Sequence, residues 1–303
     1  MIIATYNRSD VLRCAIATVL FQTFPDWELI VVGDACTDDT AEVVATFQDP
    51  RIRFVNRAVN FGEQSAPSND GFKLASGGLI AYLNQDDLWV PDHLECLLRY
   101  IDDTGADLVY ALRFSADPHG LFFCGVTNAE LRYDPTHLLE ASLWLVRRDL
   151  IEELGGWLPA TAIHARTPSQ DFLTRAWQRG KDMRCHPRVT AIMLHSGARP
   201  NSFKLRDSRQ HEAILAQLSE PGFRERLITD TAIQSARRTD ELQLRLDGWL
   251  ARLNHRIDRF LVGRGLRPDS VRNRLARRPK GWFVNHLRRI GGLAPMGRDP
   301  ADK

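Results

Sequence analysis

The chain has 303 residues, enough for one large domain with an appendage or for two domains. Its 44% hydrophobic and 26% charged residues are those of an ordinary globular protein and exclude a disordered or fibrous chain. The net charge is only +2, and no apolar run approaches the ~20 residues that span a bilayer. Five scattered cysteines, Cys14, Cys36, Cys96, Cys124 and Cys185, lack zinc-like spacing and suit reduced thiols in a cytosolic protein. No signal peptide precedes the first strand, which begins almost at Met1.

Met1 to Tyr6 reads as a short buried strand. Asn7 to Asp10 is a turn in which Ser9 or Asp10 can cap a helix carrying Val11, Leu12, Ala15, Ile16, Val19 and Leu20 at helical spacing. Phe24-Pro25-Asp26 stops it. Trp27 to Val32 is a second strand, ended by Gly33 to Thr40. A helix over 41–47, a strand over 52–56 and a helix over 66–75 follow. The next strand, Leu79 to Leu83, runs into Asn84-Gln85-Asp86-Asp87-Leu88-Trp89-Val90-Pro91. This β-α-β rhythm predicts a wound, mostly parallel α/β sheet. A helix after Pro91, a strand over 106–112, an irregular excursion over 113–136, a strand over 142–147 and a helix over 149–154 continue the chain. Ser169 caps a further helix with Asp171 in its first turn. Val189 to Leu194 is the last strand, and His195 closes it.

Ligands of open α/β sheets bind beyond the carboxyl ends of the strands. Asp86 and Asp87 stand there as adjacent carboxylates, which repel unless a cation or proton intervenes. Hard cations such as Mg²⁺ or Mn²⁺ favour such oxygens and bridge them to phosphates. The alternative is a strand-end turn with solvated acids. Asp34 ends the second strand, where it could accept an N–H from a nucleobase or cap a helix. Tyr6 could stack on that base or be a half-buried strand aromatic. Asp171 is a base or a helix-stabilising acid, and His195 a metal ligand or a structural histidine.

Taken in order, these motifs resemble the inverting, nucleotide-sugar-dependent glycosyltransferases of the GT-A type, family 2, over roughly residues 1–205. Ile2 to Arg8 looks like the opening strand, Val31 to Thr40 the second, and Asn60-Phe61-Gly62 with Asn69-Asp70-Gly71 the Asn/Gly-rich turn and helix. Asn84 to Asp87 stands where the Asp-x-Asp metal motif belongs, and Gln170-Asp171 where the catalytic acidic pair belongs. The resemblance implies a GT-A, Rossmann-like wound mixed sheet with flanking helices. It also implies a nucleotide-sugar site of Thr5, Tyr6, Asp34, Asn84 and Gln85, with Asp34 on uracil. Mn²⁺ or Mg²⁺ would be held by Asp86, Asp87 and His195, and the catalytic base would be Asp171. The donor is then a nucleoside diphosphate sugar and the acceptor a glycan or lipid-linked hydroxyl. Aspartate is ionised at pH 7 and too weak to deprotonate an alcohol beforehand, so it takes the proton as the C–O bond forms. This chain departs from the family in having Asn84 for the first Asp, Gln170 for the Glu, and no Arg near Ser68.

The division expected is 1–215 for the transferase and 216–303 for a helical, basic extension. One long helix over 231–262 would carry an apolar stripe of Leu242, Leu246, Trp249, Leu250, Leu253, Ile257, Phe260 and Leu261. Arg245, Arg252, Arg256 and Arg259 flank it, and nine more Arg and Lys follow over 263–289. This segment is a helix packed on the core or in a homo-oligomer with a solvated tail, or a basic amphipathic surface on an anionic membrane through 242–289. The second of these places the enzyme in the cytoplasm, peripheral at the inner face of the membrane. Nucleic acid is the least favoured partner, because no recognised module accompanies the charge. Two other functions stay open. A nucleotidyltransferase is opposed by the absence of a glycine-rich loop at Arg8, and a non-catalytic nucleotide-sugar-binding scaffold is supported by Asn84 and Gln170.

Overall fold

The computed structural model describes residues 1–117, 120–123, 127–165, 167–195, 199–237, 256–276 and 278–296. Three parallel strands come first, in the order β1 (Ile2–Thr5), β2 (Leu29–Gly33) and β3 (Ile52–Asn56). Every residue of β2 is buried, as a parallel strand covered on both faces requires. Helices α1 (Ser9–Leu20), α2 (Thr40–Ala45) and α3 (Ser65–Leu74) connect them and lead onward. α3 packs closely on β1 at Gly71, where an added Cβ would lie 2.6 Å from Ile2 Cγ2.

A second, mixed sheet follows from β4 (Leu79–Ala81), β5 (Asp87–Trp89), β6 (Leu108–Asp117), β7 (Gly120–Phe123), β8 (Trp144–Arg147) and β9 (Met183–Met193). Its order is β4-β8-β6-β9-β5, with β7 on β6. Only β6 and β9 run parallel. A bridge between Ile2 and Tyr82, with Leu83 N–H donating to Ile2 O at 3.0 Å, joins the two sheets. The carboxyl ends of β1 and β2 therefore open beside the turn that follows β4. Helices α4 (His93–Thr104), α5 (Arg148–Leu154) and α6 (Pro168–Gln178) flank the second sheet.

Beyond β9 lie α7 (Ser202–Leu205), α8 (Arg209–Leu218), α9 (Phe223–Arg237), α10 (256–263), α11 (Pro268–Leu275) and α12 (Trp282–Ile290). Ile214, Leu218 and Phe223 join Leu88, Phe114 and Ile192 in a second core cluster. Arg267 is 3% exposed. Its guanidinium donates to Tyr133 Oη and Thr174 Oγ1, both at 3.0 Å, and to Gln170 Oε1 at 2.5 Å. The C-terminal helices are thus pinned to α6 and the second sheet's flank by a buried cation.

Several expectations need correction. Arg8 occupies the N-cap of α1 without a side-chain cap bond, and Ser9 is already helical. Thr167, not Ser169, caps α6: its Oγ1 accepts from Gln170 N–H at 3.3 Å, and Pro168 fills the first helical position. The stretch expected to be irregular holds the end of β6 and a hairpin to β7, because Phe114 to Ala116 find partners in Leu121 to Phe123. β5 is a strand where only a turn was expected. Its three residues are too few for periodicity, and β9 supplies its ladder. Of the helix expected over 231–262, residues to Arg237 and from 256 are helical. Leu242, Arg245, Leu246, Trp249, Leu250, Arg252 and Leu253 lie outside the described residues, as does Cys124.

His93, at the start of α4, is fully buried, bonds Thr190 Oγ1 through Nδ1 at 2.7 Å and stacks on Trp89 of β5. Burial pushes its pKa down to about 3, against the pull of Asp92. The unfolded chain binds a proton below about 6.5 that the native chain refuses. Stability is therefore complete above that pH and declines as pH falls towards 3, by about 1.4 kcal/mol per unit from this residue. Other depressed histidines add to the slope, so the difference between wild type and His93→Gln isolates it. Urea unfolding at pH 7 and pH 5 should show a shallower decline for His93→Gln; equal declines would contradict the burial effect.

Candidate functional site

Gln85, in the turn after β4, ties the two sheets at their carboxyl ends. Its Oε1 accepts from Thr5 Oγ1 at 2.7 Å and from Tyr6 N–H at 3.0 Å. Asp34 leaves β2 at the same edge, its own N–H donating to Thr5 O at 2.8 Å. Its side chain is nearly fully buried, and a buried carboxylate must be paired or hydrogen-bonded. It accepts from Arg57 Nη1 at 2.8 Å, from Phe61 N–H at 2.8 Å and from Gly62 N–H at 2.8 Å. Asn60 Nδ2 donates to Asp34 O at 2.7 Å. The Asn60-Phe61-Gly62 loop is thereby folded around Asp34, with Gly62 at φ +93°, a conformation suited to glycine.

Asp87 is the second buried carboxylate, on β5. Its Oδ2 accepts from Ser142 Oγ at 2.6 Å and from Asn84 Nδ2 at 2.8 Å, and its Oδ1 from Leu194 N–H at 3.3 Å. Burial, reinforced by the charge of Asp86, pushes its pKa up to about 7 against these donors. Asp86, the preceding residue, lines the open side, and its carbonyl meets His211 Nε2 at 3.1 Å. His195 follows Leu194 with φ +47°, a left-handed conformation that non-glycine residues hold only under constraint. The residue as a whole is exposed, yet desolvation of its ring lowers its pKa, with Asp86 pulling the other way.

These groups surround one cavity of about 330 Å³. Of the nine residues expected at the site, Thr5, Tyr6, Asp34, Asn84, Gln85, Asp86, Asp87 and His195 line it. Asp171 does not. It sits one turn into α6, behind the lining residues Thr167 and Pro168, and accepts from Arg175 Nε at 2.7 Å. Its neighbour Gln170 is 1% exposed and donates to Leu139 O, besides accepting from Arg267. Sequence reasoning missed Glu63, Glu140 and Phe203, and also Val284, Leu287, Arg288 and Leu293 from α12 and the turn after it. No local pattern marks the last four, because they reach the cavity only through the tertiary fold.

Among the described residues no three His, Cys, Asp or Glu side chains form a ready-made metal cluster. The donor set still fits a hard cation. Asp86 and His195 face one cavity, and Mg²⁺ or Mn²⁺ commonly takes one or two protein ligands and completes its shell with substrate phosphate and water. Asp87, expected as a third ligand, spends both oxygens on Asn84, Ser142 and Leu194 and is better placed to position Asp86 than to hold an ion.

A profile described as Glycosyl transferase family 2 matches residues 1–155. The chain is 37% identical over 110 residues to the UDP-Glc:alpha-D-GlcNAc-diphosphoundecaprenol beta-1,3-glucosyltransferase WfgD of Escherichia coli, covering 36% of this chain and 43% of that protein. It is 34% identical over 103 residues to the putative teichuronic acid biosynthesis glycosyltransferase TuaG of Bacillus subtilis, covering 33% and 40%. The matched stretch thus spans about two fifths of these relatives. Among solved structures, S. aureus TarS 1-349 in complex with UDP-GlcNAc superposes with a TM-score of 0.57 at 16% identity, over 96% of this chain and 89% of that one. The mannosyltransferase PcManGT from Pyrobaculum calidifontis, in complex with GDP-Man and Mn²⁺, gives 0.52 at 16% identity, over 90% and 86%. At such identity the likeness is one of fold.

The wall between Asp86 and His195 depends on Asp87. Asp87→Ala removes the acceptor of the buried Leu194 N–H and Ser142 hydroxyl, and the expected cost is about 2–4 kcal/mol. Urea unfolding measures it; a loss under ~0.5 kcal/mol, within the range of neutral surface changes, would show that Asp87 is not a strut.

Proposed function

Because the chain belongs to glycosyltransferase family 2 and has the GT-A fold, we propose that it transfers a sugar from a uridine diphosphate donor to an acceptor hydroxyl with inversion. The observation that carries the reading is the gathering of eight strand-end residues, drawn from four separate stretches of chain, around one cavity. In this reading residues 1–215 carry the chemistry and 216–303 form the helical extension.

Tyr6 and the Asp34 edge receive the base, and Asn84 and Gln85 the ribose. The UDP-Glc donor printed in WfgD's name supports uridine. The reference to a diphosphoundecaprenol-linked sugar in WfgD's name supports a lipid-linked or glycan acceptor. Asp86 and His195 would hold Mn²⁺ or Mg²⁺, which when bound supplies Lewis-acid stabilisation of the departing diphosphate. Asp87 keeps Asp86 turned towards the cavity. The acceptor approaches from the Thr167–Pro168 side, where α6 begins, opposite the leaving group. Asp171 accepts the hydroxyl proton as the new C–O bond forms, and Arg175 holds its carboxylate until then. Gln170 cannot titrate, so one carboxylate carries the proton.

No described helix is long and apolar enough to cross a membrane. The basic extension gives another way to meet a lipid-linked acceptor. Arg256, Arg264, Arg272, Arg274, Arg278, Lys280 and Arg289 are exposed, as are Ile257 and Phe260. We read this as a surface for anionic lipid at the cytoplasmic face, worth about 1 kcal/mol for each charge that reaches it.

Transfer is tested by supplying UDP-sugars with Mn²⁺ and a panel of acceptors. Asp171→Asn should bind UDP like wild type yet transfer ~10²–10⁴-fold more slowly, the usual worth of a positioned base. Asp86→Asn should instead weaken Mn²⁺-assisted UDP binding, because an amide is a poorer ligand for a hard cation. Transfer by Asp171→Asn within a few-fold of wild type would remove it from the chemistry. For the lipid surface, the full chain should co-sediment with phosphatidylserine vesicles at low salt and release at high salt. Absence of low-salt binding would end that reading.

A further inference from the structure

The cavity lining is rich in acids: Glu63 and Asp86 stand with Asp87, with Asp34, which is paired with Arg57, and with Glu140, which is paired with Arg113. A nucleoside diphosphate entering it meets like charge, which costs binding unless cations offset it. Among the described residues that line the cavity, Arg288 of α12 is the only arginine or lysine.

The position of Arg288 is built. Its Nε donates to Ala294 O at 2.8 Å and its Nη1 to Gly62 O. Both acceptors are neutral, and among the described residues no carboxylate pairs with it at ion-pair distance. Its charge is therefore held but not cancelled. An arginine keeps that charge at any working pH. The side chain is half-buried, and burial lowers its pKa while Tyr6, Asp34 and Glu63 oppose the shift. Val284, Leu287 and Leu293 line the same cavity with apolar surface, and beside such surface a charge acts more strongly than in water. The backbone secures the helix end: Asn201 N–H donates to Ile290 O at 2.9 Å and Phe203 N–H to Gly291 O at 3.3 Å. Met296 N–H donates to Asn285 Oδ1 at 2.7 Å. At Gly62, on the Asp34 loop, an added Cβ would lie 3.0 Å from Met296 Cγ and 3.4 Å from Arg288 Cζ. The loop and the C-terminal turn are thus packed face to face.

We propose that α12 and the turn after it roof the nucleotide cavity and that Arg288 is a donor-binding residue, its guanidinium meeting the anionic oxygens of the nucleoside diphosphate. The contribution comes from outside residues 1–155, the part the family profile matches. The fold brings it to Gly62 across 226 residues of sequence. The assignment rests on the uridine diphosphate reading above.

Calorimetric titration of the full chain with UDP and Mn²⁺, at two salt concentrations, tests it. Arg288→Gln keeps an amide donor for the Gly62 or Ala294 carbonyl and removes the charge. It should bind UDP about tenfold more weakly, the scale of one charge-assisted hydrogen bond, and with a flatter salt dependence. Arg288→Lys keeps the charge and should stay within about threefold of wild type. A purely structural role would lower the melting temperature of the free protein without flattening the salt dependence. If wild type binds UDP and Arg288→Gln binds it within twofold with the same salt dependence, the assignment is wrong. If wild type itself binds no UDP, the donor reading fails instead.

Discussion

The candidate site depends first on a buried carboxylate at the wall of the cavity. Asp87 gathers the Asn84 amide, the Ser142 hydroxyl and the Leu194 N–H, and so joins the β4–β5 turn, the 3₁₀ turn at Ala141–Leu143 and the end of β9. A carboxylate placed in a dry interior is tolerable only with such donors. Two consequences follow from that one requirement. Asp86, its chain neighbour, is left lining the cavity. His195, one residue past Leu194, is delivered to the same cavity in a left-handed backbone conformation.

Asp34 acts likewise on the other half. It organises Arg57, Phe61 and Gly62 as Asp87 organises the β5 side, and Arg57 passes the constraint on to Asp70 of α3 at 2.9 Å. Gln85 bridges the halves through the end of β1. The C-terminal helices then complete the enclosure. Arg267 locks them against α6 by way of Gln170, and α12 lies over the Asp34 loop. In this chain the amide at 170 has a specific consequence. Gln170 Oε1 accepts from a buried guanidinium while its Nε2 donates to Leu139 O, so both ends of the amide are satisfied. The neutral residue is built into the packing of the extension, and Asp171 beside it is bonded to Arg175.

How much of this was legible depended on the range of each interaction. β1, β2, β3 and α1 announce themselves by periodicity, and their ends carry Thr5, Tyr6 and Asp34 into the cavity as the strand-end rule implies. Asn84 to Asp87 and His195 were found in the same way. Sequence alone could not tell Asp86 from Asp87, because only the tertiary donors around Asp87 set the two carboxylates apart. The cap of α6 was within reach, since Pro168 at a first helical position points to Thr167 before it. β5 was not, because its three residues carry no period and depend on β9. Arg288 and Val284 lay beyond local reading altogether, because only the tertiary fold brings them to the cavity, and the same holds for Arg57, which reaches Asp34 from outside the cavity lining. The stripe over 242–253 lies outside the described residues. α12 places Val284 and Leu287 in the lining of the cavity and leaves Arg289 exposed.

The central claim is that the strand ends of both sheets and the roof formed by α12 enclose one donor site. Amide hydrogen exchange of the full chain, with and without saturating UDP and Mn²⁺, tests it most directly. The account predicts slowed exchange in three places at once: the Asn60–Glu63 loop, the Asn84–Asp87 turn and residues 284–293. Protection confined to other parts of the chain, or none at saturation, would contradict it.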